Sequence, residues 1–292
     1  MRRRHFTIPL LLLASMTIAA CGRYSNNILN PDNQDSDSEN SLKTTSNTTK
    51  TKQNIPEIVC WGDSMTAGTG KSKALISTDS VLFDASNMSY PDVLQKLTGI
   101  KTYNFGIPSA TSEEIAILQG GLASDDSSYL KKINKDILKN GKKHPGSILI
   151  LEIGSNGGWD NYSELIAQYN AMIDHSGCSD YIIIGDTDDP QNSADPLVYN
   201  YADNISSRTA KTSWDGALEK AFDKHFINMR LELISRGLSI AGLNETMKDK
   251  EAAMKGNLSK QLRADWTHFN SYGYYSKAVI IHEKGIQLGY WK

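Results

Sequence analysis

The chain has 292 residues, of which 39% are hydrophobic, with 22 glycines and 8 prolines. This composition is ordinary for a globular protein and excludes a collagen-like or wholly disordered chain. Its 31 Lys and Arg against 33 Asp and Glu leave a formal net charge of −2. Because nucleic-acid binding requires a basic excess, we expect no nucleic-acid partner.

The first 20 residues have the pattern of an export signal. Three arginines at positions 2–4 precede a mostly apolar run at 6–20, which has the length of a signal-peptide core rather than a membrane span. Residues 18–21, Ile-Ala-Ala-Cys, resemble a bacterial lipobox, although Ile18 stands where Leu is most common. The resemblance implies lipidation of Cys21 after cleavage before it. A plain signal peptide or an uncleaved anchor is the alternative.

Residues 21–54 are predicted to form a lipidated cysteine followed by a disordered tether. Residues 23–54 have almost no large apolar side chains and are rich in Asn, Ser, Thr, Asp and Lys. Such a segment cannot bury enough surface to offset its ordering entropy, and as a flexible coil it would reach roughly 30 Å. We therefore expect an extracytoplasmic domain, residues 55–292, held on a bacterial membrane through Cys21.

From residue 55 onward, short apolar runs alternate with amphipathic stretches. Strands are predicted at residues 57–61, 102–105, 147–153, 181–185 and 226–228, and helices at 90–97, 111–118, 129–140, 162–173, 215–225, 231–235 and 271–288. The runs at 148–151 and 181–184 are continuously apolar, which is typical of strands covered on both faces. The pattern predicts one α/β domain, with a central parallel sheet of about five strands and helices on both faces. Residues 186–213 and 238–262 are long for connections, and loops of that length are often functional.

Two cysteines lie inside this domain. Cys60 comes at the end of the first predicted strand and Cys178 comes just before the fourth. An exported location permits a disulfide. However, the two positions fall at opposite edges of a parallel sheet, so we predict two unpaired thiols.

Gly62-Asp63-Ser64 directly follows the first predicted strand. Ligands of open parallel sheets bind outside the carboxyl ends of the strands, and a helix beginning here would direct backbone N–H groups toward the Ser64 side chain. Taken alone, however, a Ser or Asp before a helix is usually only an N-cap.

A second candidate, Asp265-Trp266-Thr267-His268, precedes the last predicted helix. An acid three residues before a histidine can accept the Nδ1 proton and leave Nε2 as a base. An isolated pair of this kind is more often a surface Asp beside a capping His. Two further strand ends carry Gly106 and Gly154-Ser155-Asn156, whose N–H and amide groups could stabilise an oxyanion. Alone, each would be interpreted as a turn.

In this order, the four segments resemble the SGNH or GDSL-type hydrolase family, from about residue 58 to the last helix. The resemblance implies a flavodoxin-like three-layer sandwich, Ser64 as nucleophile, His268 as general base and then acid, and Asp265 as its orienting carboxylate. It also implies an oxyanion hole formed by the N–H groups of Ser64 and Gly106 and the Asn156 amide, with no metal and no cofactor.

The chain departs from the family pattern at two places. Gly157 follows Asn156 where Asp is common, and Pro108 and Ser109 replace glycines after the second segment. We expect the first change to loosen how Asn156 is held and the second to reshape the acyl pocket.

These observations predict a carboxylic ester hydrolase. The leading substrates are O-acyl esters, above all O-acetyl esters, of carbohydrates or cell-envelope polymers, with lipid esters second. Trp159 and Trp266 could stack on a sugar, although shielding of the site or core packing explains them equally well. Transfer of the acyl group to a sugar hydroxyl and a non-catalytic envelope-binding lipoprotein remain alternatives.

Overall fold

The computed structural model describes residues 56–123, 148–158, 160–188, 197–200 and 209–292. Several predictions lie outside these residues: the signal segment, Cys21, the tether, the helix at 129–140 and Trp159.

All five predicted strands are present and form one parallel sheet. Counting two hairpins as well, the strands of the described residues are β1 Ile58–Gly62, β2 Leu75–Ser77, β3 Leu82–Asp84, β4 Thr102–Gly106, β5 Ile148–Glu152, β6 Tyr181–Ile184, β7 Leu197–Asn200, β8 Thr209–Thr212 and β9 Phe226–Ile227. The sheet has the order β4-β1-β5-β6-β9, and every neighbouring pair is parallel. Among the five predicted strands this is the order 2-1-3-4-5 of a flavodoxin-like fold, so the predicted fold class is confirmed.

Helices cover both faces of the sheet. They are α1 Ser64–Ala67, α2 Tyr90–Thr98, α3 Ser112–Gln119, α4 Tyr162–Ser176, α5 Ser213–Phe222, α6 Met229–Glu232, α7 Leu238–Ile240, α8 Met247–Met254 and α9 Ser271–Leu288. A π-helical turn, Leu233–Gly237, joins α6 to α7. Helices α2, α6 and α9 pack on one face of the sheet, and α3, α4 and α5 pack on the other.

The central strands supply side chains to both layers because successive residues of a strand point to opposite faces. In β1, Ile58 and Cys60 enter the core beneath α2 and α9, whereas Val59 and Trp61 enter the core beneath α3 and α4. All five residues of β1 and all five of β5 are buried. This double burial explains the continuous apolar run at residues 148–151.

Four elements were not predicted: the hairpins β2–β3 and β7–β8 and the helices α7 and α8. The hairpin β2–β3 exposes Leu75 and Leu82 on its outer face, so it lacks the apolar-polar alternation that marks a strand. The hairpin β7–β8 and helix α8 lie in the two segments interpreted as long connections. Helix α8 leaves Met247 and Met254 exposed, and its sequence signal is instead a capping box between Thr246 and Asp249.

The two domain cysteines do not form a disulfide with each other, as predicted, and Cys60 is fully buried. None of the helices within the described ranges has the length and apolarity that a membrane span requires.

Candidate active site

The sheet order brings three of the predicted segments to one edge. Gly62, at the end of β1, is paired with Gly106 at the end of β4 on one side. On the other side it is paired with Glu152 at the end of β5. The loops that carry Ser64 and Asn156, together with Gly106 itself, therefore begin next to one another at the carboxyl edge of the sheet.

Ser64 is the first residue of the short helix α1. Asp63 is its N-cap, and its Oδ1 accepts a hydrogen bond from the Met65 N–H at 2.9 Å. The chain leaves this helix at Gly68, which adopts a left-handed conformation with φ of 81°. Because N–H groups in a first helical turn have no intrahelical acceptor, the Ser64 N–H lies beside its own hydroxyl as an available donor.

His268 lies on a tight turn, residues 264–268, which we call the histidine turn. The turn is closed by the strand-like pairing of Arg263 with Phe269. It is also closed by a 2.9 Å hydrogen bond from the Ala264 N–H to the His268 carbonyl. The last helix is capped by Asn270, whose side chain accepts from the Gly273 N–H. His268 is therefore not the capping residue.

The structure brings Ser64, His268 and Asp265 into one hydrogen-bonded relay. His268 Nε2 is 2.9 Å from Ser64 Oγ, and His268 Nδ1 is 2.8 Å from Asp265 Oδ2. The other carboxylate oxygen, Asp265 Oδ1, accepts from the backbone N–H groups of Thr267 at 2.9 Å and of His268 at 2.7 Å. This is the geometry of a nucleophile, a general base and an orienting acid.

The electrostatics suit Asp265 to that role. Partial desolvation acts to raise the pKa of its carboxyl, but hydrogen bonds from the His268 backbone and ring and from the Thr267 N–H outweigh it and hold the pKa below its ordinary value. Asp265 is therefore ionised near neutral pH, where it favours the imidazole tautomer that carries its proton on Nδ1.

Gly106 packs directly against the helix that carries the serine. A Cβ at this position would lie 2.1 Å from the Ala67 nitrogen, so only glycine fits there. The Gly106 N–H donates a 2.9 Å hydrogen bond to Asn104 Oδ1. The Asn104 amide in turn donates to the Thr66 carbonyl at 3.0 Å. The Gly106 N–H, which the motif predicts as an oxyanion donor, therefore has a neutral amide oxygen as its present acceptor.

Asn156 is held by two acceptors. Its Nδ2 donates to Asp63 Oδ2 at 3.3 Å and to the Ala110 carbonyl at 3.2 Å. Ala110 ends a turn that also contains Pro108 and Ser109, and Ser109 has a positive φ of 65°. The turn that contains Pro108 and Ser109 therefore positions an acceptor for the Asn156 amide.

Asp63 is a buried carboxyl beside the nucleophile, and motif reasoning did not assign it a role. Its exposed fraction is 1%. Desolvation and the nearby Glu152 carboxylate raise its pKa to about 7. Asp63 is part of the Gly-Asp-Ser motif, but its contact with Asn156 joins residues that are 93 positions apart in the sequence. That contact depends on the order of strands in the sheet, so the motif alone does not predict it.

A buried ion pair that no local pattern predicts lies beneath the same edge of the sheet. Lys277 Nζ of α9 binds Glu152 Oε1, and neither the Lys277 side chain nor most of Glu152 reaches solvent. Glu152 Oε2 also accepts from the Thr66 hydroxyl at 3.5 Å, and Thr66 is 3.2 Å from the Tyr90 hydroxyl. Through Thr66, this network links α1 to β5 and α9.

No group of three His, Cys, Asp or Glu side chains in the described part of the chain is arranged to hold a metal ion. No protein-family model and no curated protein matches this chain.

Three of the solved structures that are similar to this chain share 14% sequence identity with it. One is a protein assigned to the lipolytic G-D-S-L family from Desulfitobacterium hafniense, with a TM-score of 0.43 over 78% of this chain and 98% of that one. Another is a possible lipase from Chitinophaga pinensis, with a TM-score of 0.42 over 80% and 98%. The third is the native aryl esterase of M. smegmatis, with a TM-score of 0.35 over 80% and 99%. At this level of similarity, the chemistry of this chain rests on its own side chains.

Proposed function

We propose that this protein is a serine esterase of the SGNH type that hydrolyses carboxylic esters through Ser64, His268 and Asp265. The observation that carries the proposal is the continuous relay from Ser64 Oγ through the imidazole to the Asp265 carboxylate, with both hydrogen bonds below 3 Å. Two segments converge to make it, with Ser64 and His268 lying 204 positions apart, and a capping role for either segment does not explain this contact.

The reaction proceeds in two acyl-transfer steps. His268 Nε2 accepts the Ser64 proton as Oγ attacks the ester carbonyl carbon, and Asp265 stabilises the resulting imidazolium. The imidazolium then protonates the departing alcohol oxygen, leaving an acyl group on Ser64. Water, deprotonated by His268, attacks that acyl group, and the returned proton restores the Ser64 hydroxyl.

The negative oxygen of each tetrahedral intermediate needs donors already in place. The Ser64 N–H is one, and Gly106 and Asn156 supply the others. In the structure, the Gly106 N–H donates to the amide oxygen of Asn104. The Asn156 amide donates to the Ala110 carbonyl and to the Asp63 carboxyl. An oxyanion is a stronger acceptor than an amide or carbonyl oxygen, so it competes successfully for the Gly106 N–H as each tetrahedral intermediate forms.

For the substrate, we propose O-acetyl esters on carbohydrate or cell-envelope polymers. The supporting feature is Trp266, whose side chain is 56% exposed although it lies two residues from His268. An exposed indole two residues from His268 offers a flat apolar face to a sugar ring, and we take the stacking contribution as that of an aromatic pair, about 0.5–1.5 kcal/mol beyond area burial. Trp266→Ala should therefore raise KM for an acetylated oligosaccharide by about two- to tenfold and leave KM for ethyl acetate unchanged, whereas Trp266→Phe should retain most of the affinity. Equal KM values in all three proteins would refute the stacking role.

The nucleophile is tested with a short-chain nitrophenyl ester and a fluorophosphonate probe. Ser64→Ala should lose both turnover and labelling, while the matched control Ser80→Ala, an exposed serine before β3, should keep both. Full activity in Ser64→Ala would end the proposal. Acetate release measured with a saccharide acceptor present separates hydrolysis from acyl transfer, because transfer moves the acetyl group onto the saccharide.

We also propose that the esterase domain is displayed outside the cytoplasm on a lipid anchor at Cys21. The signal-like segment and lipobox support this location. Metabolic labelling with an alkyne fatty acid should mark the full-length protein and not Cys21→Ser. A Cys21→Ser variant that keeps both the label and its membrane association would refute the anchor.

A further inference from the structure

The histidine turn is tied to the end of β6 by contacts that the catalytic motif does not include. The Thr267 hydroxyl donates to Asp188 Oδ1. The Arg263 guanidinium donates to the Thr267 carbonyl at 2.9 Å and to the Thr187 carbonyl. The residue directly before His268 is therefore held through both its side chain and its carbonyl group.

Asp188 is itself fixed by the buried residues that follow β6. Its N–H donates to Asp186 Oδ1 at 3.0 Å, and the fully buried Arg230 donates to its carbonyl and to the Asp186 carboxylate. The Asp186 N–H donates to Asp215 Oδ1 at 2.9 Å. Asp188 thus offers the histidine turn an acceptor that is anchored to the sheet and to α5 and α6.

Such an anchor matters because the local contacts of the relay lie near solvent. The Asp265 side chain is 48% exposed, and it contacts His268 only three positions away in the same turn. The turn can move as a unit without breaking that contact, but it would then carry Nε2 away from Ser64. Contacts from outside the turn are what oppose this movement.

We propose that Thr267 and Asp188 are positioning residues that hold His268 at hydrogen-bonding distance from Ser64. This inference rests on the proposed esterase function. The hydroxyl-to-carboxylate bond acts through the backbone of the histidine turn and touches neither the substrate nor the reacting atoms.

The test compares two substitutions at position 267. Thr267→Val keeps the shape and removes the hydroxyl, and should lower kcat about 10- to 100-fold with KM unchanged, because small misplacements of catalytic groups have effects of this size. Thr267→Ser keeps the hydroxyl and should restore kcat. The matched control is Thr246→Val, which removes a 2.5 Å hydroxyl bond to Asp249 at the start of α8 and should leave kcat unchanged.

A second measurement separates positioning from folding. The His268 Nε2 nitrogen lies 2.9 Å from Ser64 Oγ, and its ¹⁵N NMR resonance is assigned by its absence in His268→Ala. This resonance should shift in Thr267→Val, where Nε2 loses the Ser64 hydroxyl, and should keep its wild-type position in Thr267→Ser. If Thr267→Val lowers the melting temperature as much as Thr246→Val does but keeps the wild-type kcat and the wild-type Nε2 resonance, the contact is merely structural and the inference is wrong. If the wild-type protein neither hydrolyses esters nor reacts with the fluorophosphonate probe, the esterase proposal fails instead, and the resonance still reports whether Thr267 holds the imidazole.

Discussion

Replacing Lys277 with Met should strongly destabilise the fold, because it leaves a carboxylate without its buried partner. The Lys277 side chain has no exposure to solvent, and that of Glu152 is 9% exposed. Breaking such a pair costs about 3–5 kcal/mol, a large part of the roughly 5–15 kcal/mol that stabilises a typical domain. At about 2–4 °C per kcal/mol for a domain of this size, the melting temperature should fall by roughly 6–20 °C.

The effect should depend on pH. Desolvation raises the pKa of Glu152 even with Lys277 present, and Lys277 opposes that rise. In Lys277→Met the folded-state pKa of Glu152 therefore lies further above its unfolded value. The folded protein then binds more protons than the unfolded chain, so its free energy of unfolding falls as the pH rises through that interval. The destabilisation should be larger at pH 8 than at pH 5.

Urea unfolding of four proteins checks this reasoning. The set comprises the wild type, Lys277→Met, the double variant Lys277→Met with Glu152→Gln, and the exposed control Lys220→Met. The double variant should be more stable than Lys277→Met, because it carries no buried charge at this site, and the control should stay within about 0.5 kcal/mol of the wild type. If Lys277→Met is as stable as the control, the ion pair does not hold α9 to β5 and the reasoning is refuted.

Two further predictions concern the oxyanion side of the site. Asn156→Ala should lower kcat about 10²- to 10³-fold, since that is the usual effect of losing one oxyanion donor, and unchanged steady-state kinetics would remove Asn156 from the site. The pKa of Asp63 is raised to about 7 in the folded protein. Its contribution to the free energy of unfolding is therefore present below the unfolded pKa and is lost as the pH rises through about 7. The loss amounts to at most roughly 1.4 kcal/mol per pH unit. Asp63→Asn keeps an N-capping side chain and should remove that part of the pH dependence, and identical pH-stability curves for the two proteins would contradict the shifted pKa.

Much of the fold could be predicted because local periodicity reports burial directly. The five strands of the central sheet and the last helix were predicted, and α9 has the bounds expected from its sequence, with Asn270 before it and Gly289 after it. The elements that were missed, β2–β3, β7–β8, α7 and α8, are short or expose apolar side chains. Their sequences therefore lack the contrast between an apolar and a polar face on which such prediction depends.

The candidate site likewise has residues that the sequence predicts and contacts that it does not. Ser64, Asp265, His268, Gly106 and Asn156 could be named from the sequence, because each follows a strand end or precedes a helix in a recognisable short motif. That these residues meet was a prediction, and the structure places the three triad side chains in hydrogen-bonding contact.

The partners that hold this set in place were decided by the tertiary structure alone. Glu152 and Lys277 are 125 positions apart, Asp188 and Thr267 are 79 apart, and Asp63 and Asn156 are 93 apart. No local pattern encodes such pairs, because each contact depends on the order of strands in the sheet and on which helix covers which face. Local sequence determined the strands of the central sheet, the last helix and the reactive groups, whereas packing of distant segments decided which buried charges are paired and how firmly His268 is held.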